Sequence, residues 1–360
     1  MAHPVFNVDA LKKVRGLLRD HRPGQIFNIL RFGYHALRGF PATRLPYEPL
    51  WLVLFITGRC NLRCIHCPYR SPEGPCRPQL FRDMTLESFR HILDSFPRAI
   101  AIVLSGGETL AHPALFEMIH LAHERRLKVH IPTNGTMVAN NIEALLQAPV
   151  ELLNVSLYGT DRESFSRVTG AEGSLFDTII EGISELARQR SSGGYPRILR
   201  ASFITGKDNL HRVIDFIRLG EKIGVDQVKL RNLCTYGIPG YAQSMCLHED
   251  DPEVQEFLDG LRRQRFRIPV FLPRLHRRDY RPRRCNLPFR QISIDGDGFI
   301  GFCCMEGPDR RWGNFFQEPD AWNSETMNRA RRELMDPTCP LPPICLHCEE
   351  MIPERPSLGG

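Results

Sequence analysis

Cys60, Cys64 and Cys67 stand in the run Cys-Asn-Leu-Arg-Cys-Ile-His-Cys. Three residues separate the first pair and two the second. Thiolates at this spacing can hold three irons of a [4Fe–4S] cluster, which ordinarily takes four cysteines. One iron is then left open, and an open metal site is a place for chemistry. A closed structural zinc site is the alternative that such spacing also serves.

A second group lies near the other end: Cys285, Cys303 after 17 intervening residues, then Cys345 and Cys348 separated by two. Four thiolates can close a full [4Fe–4S] cluster; zinc is again the alternative. Cys304 competes with Cys303 for the second position, and the 17-residue spacing and strand alternation favour Cys303. Cys76 falls outside the triad spacing and reads as a loop thiol. Cys304 and Cys339 are spare.

The chain has 360 residues, 42% of them hydrophobic, enough for a substantial core and two domains. It has no apolar stretch long enough to span a bilayer and no signal-peptide pattern at its start, so a cytoplasmic protein is expected. In that compartment its 12 cysteines suit ligand clusters better than disulfides. The net charge is +6, and residues 262–284 hold ten arginines and no lysine. Such a run reads first as a solvated linker, although arginine also suits anionic partners. No motif supports nucleic-acid binding.

These cysteines need elements to position them. Residues 1–48 read as a helical extension, with helices near 8–20 and 24–38, expected to pack on the chain's own core rather than on a membrane. From residue 49 to 245, apolar runs at 51–57, 99–105, 127–132, 151–157, 197–204 and 225–231 alternate with helical patterns near 85–95, 113–126, 140–148, 174–190 and 208–223. That alternation predicts βαβ units in a parallel sheet, a partial (β/α)6 TIM-like barrel with ligands at the carboxyl ends of its strands. The triad follows the first strand. Residues 246–360 change character and form the second domain: a hairpin over Gln291–Asp295 and Phe299–Cys303, a helix near 320–335 and a Pro-rich tail. So small a unit calls for a metal.

The triad, placed after a first strand, resembles the signature of the radical SAM superfamily. The resemblance runs along the whole barrel. Ser105-Gly106-Gly107-Glu108 after the second strand is similar to the family's GGE motif, which binds the methionyl amine of S-adenosylmethionine. Thr133-Asn134-Gly135-Thr136 after the third is a common element of the superfamily. Ser156-Leu157-Tyr158-Gly159 after the fourth resembles the ribose-contacting segment, and Ile204-Thr205-Gly206 loosely matches the adenine-contacting motif. Physical reasons accompany each. Gly106 and Gly107 allow close backbone approach, Glu108 can accept hydrogen bonds from an ammonium, and Ser156 offers a hydroxyl to ribose. His66 stands where the family usually has an aromatic residue and can lie flat against adenine. Arg231 and Tyr236 are candidates to line the mouth, and Arg167 to meet a carboxylate.

The C-terminal pattern resembles the Twitch domain, the shorter relative of SPASM domains. The resemblance implies a SAM-binding [4Fe–4S] cluster, S-adenosylmethionine and one auxiliary [4Fe–4S] cluster. It further implies reductive cleavage to a 5′-deoxyadenosyl radical, hydrogen abstraction, and an electron donor such as flavodoxin or ferredoxin. A closed auxiliary cluster suits electron transfer, as in Twitch-bearing dehydrogenases of aminoglycoside biosynthesis. The expectation is therefore net oxidation of a small polar metabolite, sugar- or aminocyclitol-like. Molybdenum-cofactor cyclases share the architecture, but their three-cysteine auxiliary site departs from the pattern here, despite the terminal Gly359-Gly360. A maturase acting on a ribosomally made peptide and a non-catalytic metal-binding protein are the alternatives.

Overall fold

The structure is a computed structural model that describes residues 16, 19–41, 44–71, 81–234, 243–276, 285–342, 344, 345 and 348. Cys76, Tyr236, most of the first expected helix and residues 277–284 of the arginine run lie outside them. Six parallel strands form the centre: β1 Trp51–Thr57, β2 Ala101–Gly106, β3 Lys128–Thr133, β4 Val150–Ser156, β5 Ile198–Thr205 and β6 Gln227–Asn232. Helices α1 Pro23–Arg38, α2 Leu86–Ser95, α3 Leu115–Glu124, α4 Ile142–Gln147, α5 Arg162–Thr169, α6 Ser174–Gln189 and α7 Val213–Lys222 accompany them. This is the expected α/β barrel architecture.

Alternation along each strand sorts the side chains. On β1, Leu52, Leu54 and Ile56 join the main core under the helices, together with Ile102, Val129, Leu153, Leu199 and Val228 from the other strands. Val53 and Phe55 face the other way and pack with Phe81, Val103 and Tyr69. On β5 and β6 the same alternation turns Arg200, Ser202, Lys229 and Arg231 to the inner face, because Leu199, Ala201, Phe203, Val228 and Leu230 fill the outer core.

The expected domain boundary near residue 246 does not end the sheet. Helix α8 Pro252–Arg262 leads to β7 Val270–Phe271, which pairs parallel with β6. At the other edge, a short helix α9 Leu287–Arg290 feeds β8 Gln291–Asp295, which pairs parallel with β1 from Trp51↔Gln291 to Phe55↔Asp295. Strand β9 Ile300–Gly301 closes the expected hairpin on β8. Among the described residues the sheet thus has nine strands, and the C-terminal hairpin extends it rather than standing apart. Helix α10 Glu325–Met335 follows. Trp322 before it donates from Nε1 to the Tyr47 carbonyl at 2.7 Å, and Arg331 stacks over the Trp322 ring while donating to the Pro288 carbonyl.

Helix α1 packs across the amino ends of the strands, as expected of an extension that uses its own domain. Gln25 donates to the Ala99 carbonyl at 2.6 Å and Asn28 to the Glu48 carbonyl at 3.0 Å.

Asp295 closes the hairpin turn by accepting from the backbone N–H groups of Asp297 and Phe299. Burial nevertheless raises its carboxyl to about 6. Because this exceeds the unfolded value of about 4, the folded chain binds more protons between these limits. The resulting stabilisation is fully present below about pH 4 and is lost as pH rises through about 6. Asp295→Asn should therefore flatten the stability slope over that window, by on the order of 3 kcal/mol in total. Urea unfolding as a function of pH measures this; a slope unchanged by the substitution contradicts it.

Candidate iron–sulfur and S-adenosylmethionine site

The triad loop leaves the carboxyl end of β1 and is held by backbone bonds on several sides. Arg63 and Ile65 donate to the carbonyls of Thr169 and Val168 at the end of α5, at 3.1 and 2.9 Å. Cys67 N–H turns back to the Cys64 carbonyl at 3.0 Å, and the Arg70 guanidinium caps the Cys60 carbonyl at 3.0 Å. Helix α5 is absent from the helical patterns read in the sequence. Its mean polarity is high, and Asp161, which caps it by accepting from Ser164 N–H, gives the only local start signal.

Gly106 and Gly107 bring the end of β2 against this loop. Gly107 N–H donates to the Thr57 carbonyl and Glu108 N–H to the Arg59 carbonyl, both at 2.7 Å. A Cβ on Gly106, whose φ is +128°, would lie 2.2 Å from the Thr57 oxygen, and one on Gly107 would lie 2.1 Å from the Arg59 oxygen. The glycines are therefore required first by the backbone of the triad loop, in addition to any close approach of a ligand.

Glu108 has a structural task in the fold. It is fully buried and its carboxylate accepts from Thr133 Oγ1 at 2.6 Å, Leu110 N–H at 3.0 Å and Asn134 N–H at 2.7 Å. The side chain turns inward, and these three donors take three of its acceptor positions. Burial raises the carboxyl, and those three bonds act against the shift. Its effect is to clamp the β3 end to the β2 end.

That clamp sets Asn134. Its Nδ2 lies 3.8 Å from Cys60 Sγ and 2.9 Å from Asn61 Oδ1, while its Oδ1 accepts from Thr136 N–H at 2.9 Å. An amide donor on a thiolate sulfur tunes the potential of an attached cluster. The cavity at the strand ends is lined by all three triad cysteines with Ser105, Gly106, Gly107, Asn134, Ser156 and Tyr158, among others. Ser156 and Tyr158 sit two residues apart on this lining. His66 is half-buried behind it, its ring centroid 6.0 Å from that of Tyr158, and burial lowers it to about 4. A neutral, flat imidazole results. Arg167 is exposed on α5 and is absent from the cavity lining, so a role on a cofactor carboxylate is not supported. Arg231 is half-buried on the inner face of β6, one layer nearer the mouth than Lys229, which shares a layer with Ser156 and Ser202.

The donor set fits an iron–sulfur cluster. No described cysteine forms a disulfide. Burial raises the Cys60 and Cys64 thiols, and the neighbouring Cys67 and Cys60 raise Cys64 further. Such thiols become thiolates only beside a cationic partner, as cluster iron would be. The same holds at the second group. Cys285, Cys303, Cys345 and Cys348 are all buried, and Cys303 is raised by burial, with Cys304, Cys285 and Cys348 adding to it. Cys303 Sγ accepts from Glu306 N–H at 3.4 Å. Cys304 is only half-buried and packs toward Val53, Phe55 and Phe81 inside the barrel.

One contact between the two groups had no signal in the sequence. Gly307, with φ +75°, lies so close to the Tyr69 hydroxyl that a Cβ there would sit 2.1 Å from it. Tyr69 is two residues beyond Cys67, and Gly307 is four beyond Cys303, whose carbonyl its N–H binds at 2.9 Å.

Comparison with known proteins agrees with this architecture. Residues 54–219 match the radical SAM superfamily, and residues 285–349 match an iron–sulfur cluster-binding domain. The chain carries a radical SAM domain and a C-terminal iron–sulfur cluster-binding domain of the SPASM class. These domains imply [4Fe–4S] clusters and S-adenosylmethionine. Among sequence relatives, a probable GTP 3′,8-cyclase of Saccharolobus islandicus is 27% identical over 63% of this chain and 72% of its own length. One from Methanocella arvoryzae is 30% identical over 50% of this chain and 57% of its own. Among solved structures, Streptococcus suis SuiB bound to S-adenosylmethionine has a TM-score of 0.60 at 16% identity, covering 84% of this chain and 72% of that one. anSMEcpe with bound AdoMet has a TM-score of 0.56 at 15% identity, covering 80% and 81%.

Gly107→Ala should push the β2 end off the Arg59 carbonyl and open the cavity floor. S-adenosylmethionine binding by the anaerobically reconstituted protein should weaken by about tenfold or more, since ~1.4 kcal/mol of misplacement suffices. Equilibrium dialysis measures this, and unchanged binding contradicts the role given to the glycine pair.

Proposed function

We propose that the chain catalyses net oxidation of a small polar metabolite, sugar- or aminocyclitol-like. In this reading Cys60, Cys64 and Cys67 hold the cluster that binds S-adenosylmethionine. Cys285, Cys303, Cys345 and Cys348 hold one auxiliary cluster. When bound, these groups supply reductive cleavage of S-adenosylmethionine, removal of a substrate hydrogen atom and an acceptor for the second electron.

What supports the reading is that Cys285, Cys303, Cys345 and Cys348 are all buried, that Cys285 and Cys348 lie near Cys303, and that Gly307, four residues beyond Cys303, lies against Tyr69 of the triad loop. Four protein thiolates leave no iron open for a substrate, so the group suits electron transfer. Cys303 is favoured over Cys304 because it is buried and lies near Cys285 and Cys348, while Cys304 is half-buried and touches the inner cluster of Val53, Phe55 and Phe81 as well as the main core. Gly106, Gly107 and Ser105 form the floor of the cavity, Asn134 bonds the Cys60 sulfur, and Ser156 offers its hydroxyl at the fourth strand end. The inner face beyond them is polar, with Asn154, Arg200, Ser202 and Gln227 hydrogen-bonded to one another in two pairs, which favours a polar substrate. An electron donor such as flavodoxin or ferredoxin completes the cycle, and the reaction is placed in the cytoplasm.

A peptide-modifying role is the second reading. It is favoured by the likeness in fold to SuiB bound to the precursor peptide SuiA and to anSMEcpe bound to the Cp18Cys peptide. The likeness in sequence to probable GTP 3′,8-cyclases favours a third, in which the same radical start serves cyclisation of a nucleotide.

Anaerobic reconstitution should give about eight irons per chain, four for each cluster. Cys64→Ala should abolish 5′-deoxyadenosine formation. Cys345→Ala should keep it while losing about four irons and most turnover of an oxidisable substrate. Four irons with bound zinc in the unaltered protein contradicts the auxiliary cluster. Equal loss of cleavage and turnover in Cys345→Ala contradicts an electron-accepting role.

A further inference from the structure

Helix α1 has one face that the other described residues do not cover. Gln25 and Asn28 bury their side chains on the barrel. Phe27, Leu30, Tyr34 and Leu37, at spacings of three and four, point away from it and are 53%, 61%, 54% and 90% exposed. They make up four of the seven large hydrophobic side chains exposed among the described residues. Scattered exposed apolar residues need no explanation, but a continuous stripe on one helix face does.

Charge identifies what the stripe suits. Arg31 lies over the Phe27 ring at 4.4 Å and Arg38 over the Tyr34 ring at 5.3 Å, both exposed and within the same face. From His21 to Tyr47 the sequence has Arg22, Arg31, Arg38 and Arg44 and no Asp or Glu. Arg44 pairs with Asp320 at 2.7 Å, whereas Arg22, Arg31 and Arg38 are exposed cations with no carboxylate partner among the described residues; Arg22 and Arg31 each also donate to a backbone carbonyl, of Glu124 and Pro46, at 2.9 Å. A protein partner of ordinary composition would have no special use for so one-sided a charge. A bilayer with anionic headgroups would: aromatic and leucine side chains enter the headgroup–acyl boundary while adjacent arginines meet phosphates.

We propose that the exposed face of α1 docks the protein on an anionic membrane surface. Bonds from Gln25 to the Ala99 carbonyl and from Asn28 to the Glu48 and Arg98 carbonyls fix α1 at the amino ends of the strands. The cysteine triad lies at the carboxyl ends. Docking through α1 therefore holds the cavity mouth away from the bilayer and open to water, so the contact tethers the enzyme without blocking substrate entry. No helix among the described residues is long and apolar enough to cross a membrane, so the attachment is peripheral.

The test is co-sedimentation of the full-length, iron-loaded protein with vesicles of phosphatidylcholine alone and with vesicles containing about one third phosphatidylglycerol. The protein should sediment with the anionic vesicles, remain in solution with the neutral ones, and be released by salt. Leu30→Ser with Leu37→Ser, and separately Arg31→Gln with Arg38→Gln, should each lower the partition coefficient by roughly tenfold or more. Thermal unfolding and 5′-deoxyadenosine formation should stay unchanged in both variants. Failure to sediment with anionic vesicles overturns the proposal, as does equal sedimentation of the Leu variant. A concentration-dependent dimer that the Leu variant abolishes would also overturn it, because a second copy would then be the occupant.

Discussion

The whole arrangement depends on β1 being hydrogen-bonded in parallel on both sides. Trp51 to Phe55 pair with Ala101 to Ser105 on one flank and with Gln291 to Asp295 on the other, in the same register. A single strand therefore sets the heights of three strand ends. One carries the cysteine triad, the next carries Gly106 and Gly107, and the third carries the hairpin that leads to Cys303. Shifting the register by one residue would exchange Val53 and Phe55 with Leu52 and Leu54, moving lumen residues into the core. The hairpin turn is equally constrained, since a Cβ on Gly296 would lie 2.0 Å from the Arg82 carbonyl. Both cysteine groups are thus referenced to one rigid element, although 217 residues separate Cys67 from Cys285.

Around that frame, buried polar groups do the fine positioning. Glu108 is the clearest case. Its buried carboxylate ties the ends of β2 and β3 together, which orients Asn134 toward Cys60. Thr57 plays a related part at the end of β1, donating to Asp83 at 2.6 Å while accepting from Arg59 N–H at 3.1 Å. Such second-layer bonds orient the groups that touch a metal and tune their potential. On the opposite side, Trp51 and His130 meet edge to face, with ring centroids 4.9 Å apart. Burial, reinforced by Arg200 and Lys128, lowers His130 to about 4 and keeps it neutral. The barrel interior thus grades from this closed end to the cavity at the strand carboxyl ends.

Much of this was legible in the sequence because local patterns carried it. The run Trp51–Thr57 is apolar throughout and reads directly as a strand, and the spacing of the triad after it needs no partner to be recognised. The hairpin was visible in its alternating residues and its Asp295–Gly298 turn. What it paired with was not. The union of β8 with β1 is a contact across more than half the chain, and nothing local encodes it. Helix α5 has a polar surface, so beyond its Asp161 cap nothing local marks it or the exposed position of Arg167. A carboxylate at a strand end is chemically suited to an ammonium, which makes Glu108 legible as a ligand contact. Its bonds to Thr133 and Asn134 exist only in the fold. Tyr69 and Gly307 were silent for the same reason: a hydroxyl and a glycine acquire meaning only when folding sets them together.

We propose that two chemically distinct clusters share one β1-centred frame, one open to S-adenosylmethionine and one closed by four thiolates. Electron paramagnetic resonance of the dithionite-reduced protein, recorded before and after addition of S-adenosylmethionine, tests it most directly. Two overlapping cluster signals are predicted, of which one shifts on addition and the other does not, with the shifting signal absent in Cys64→Ala. A single signal, or two that both remain unchanged, would contradict the account.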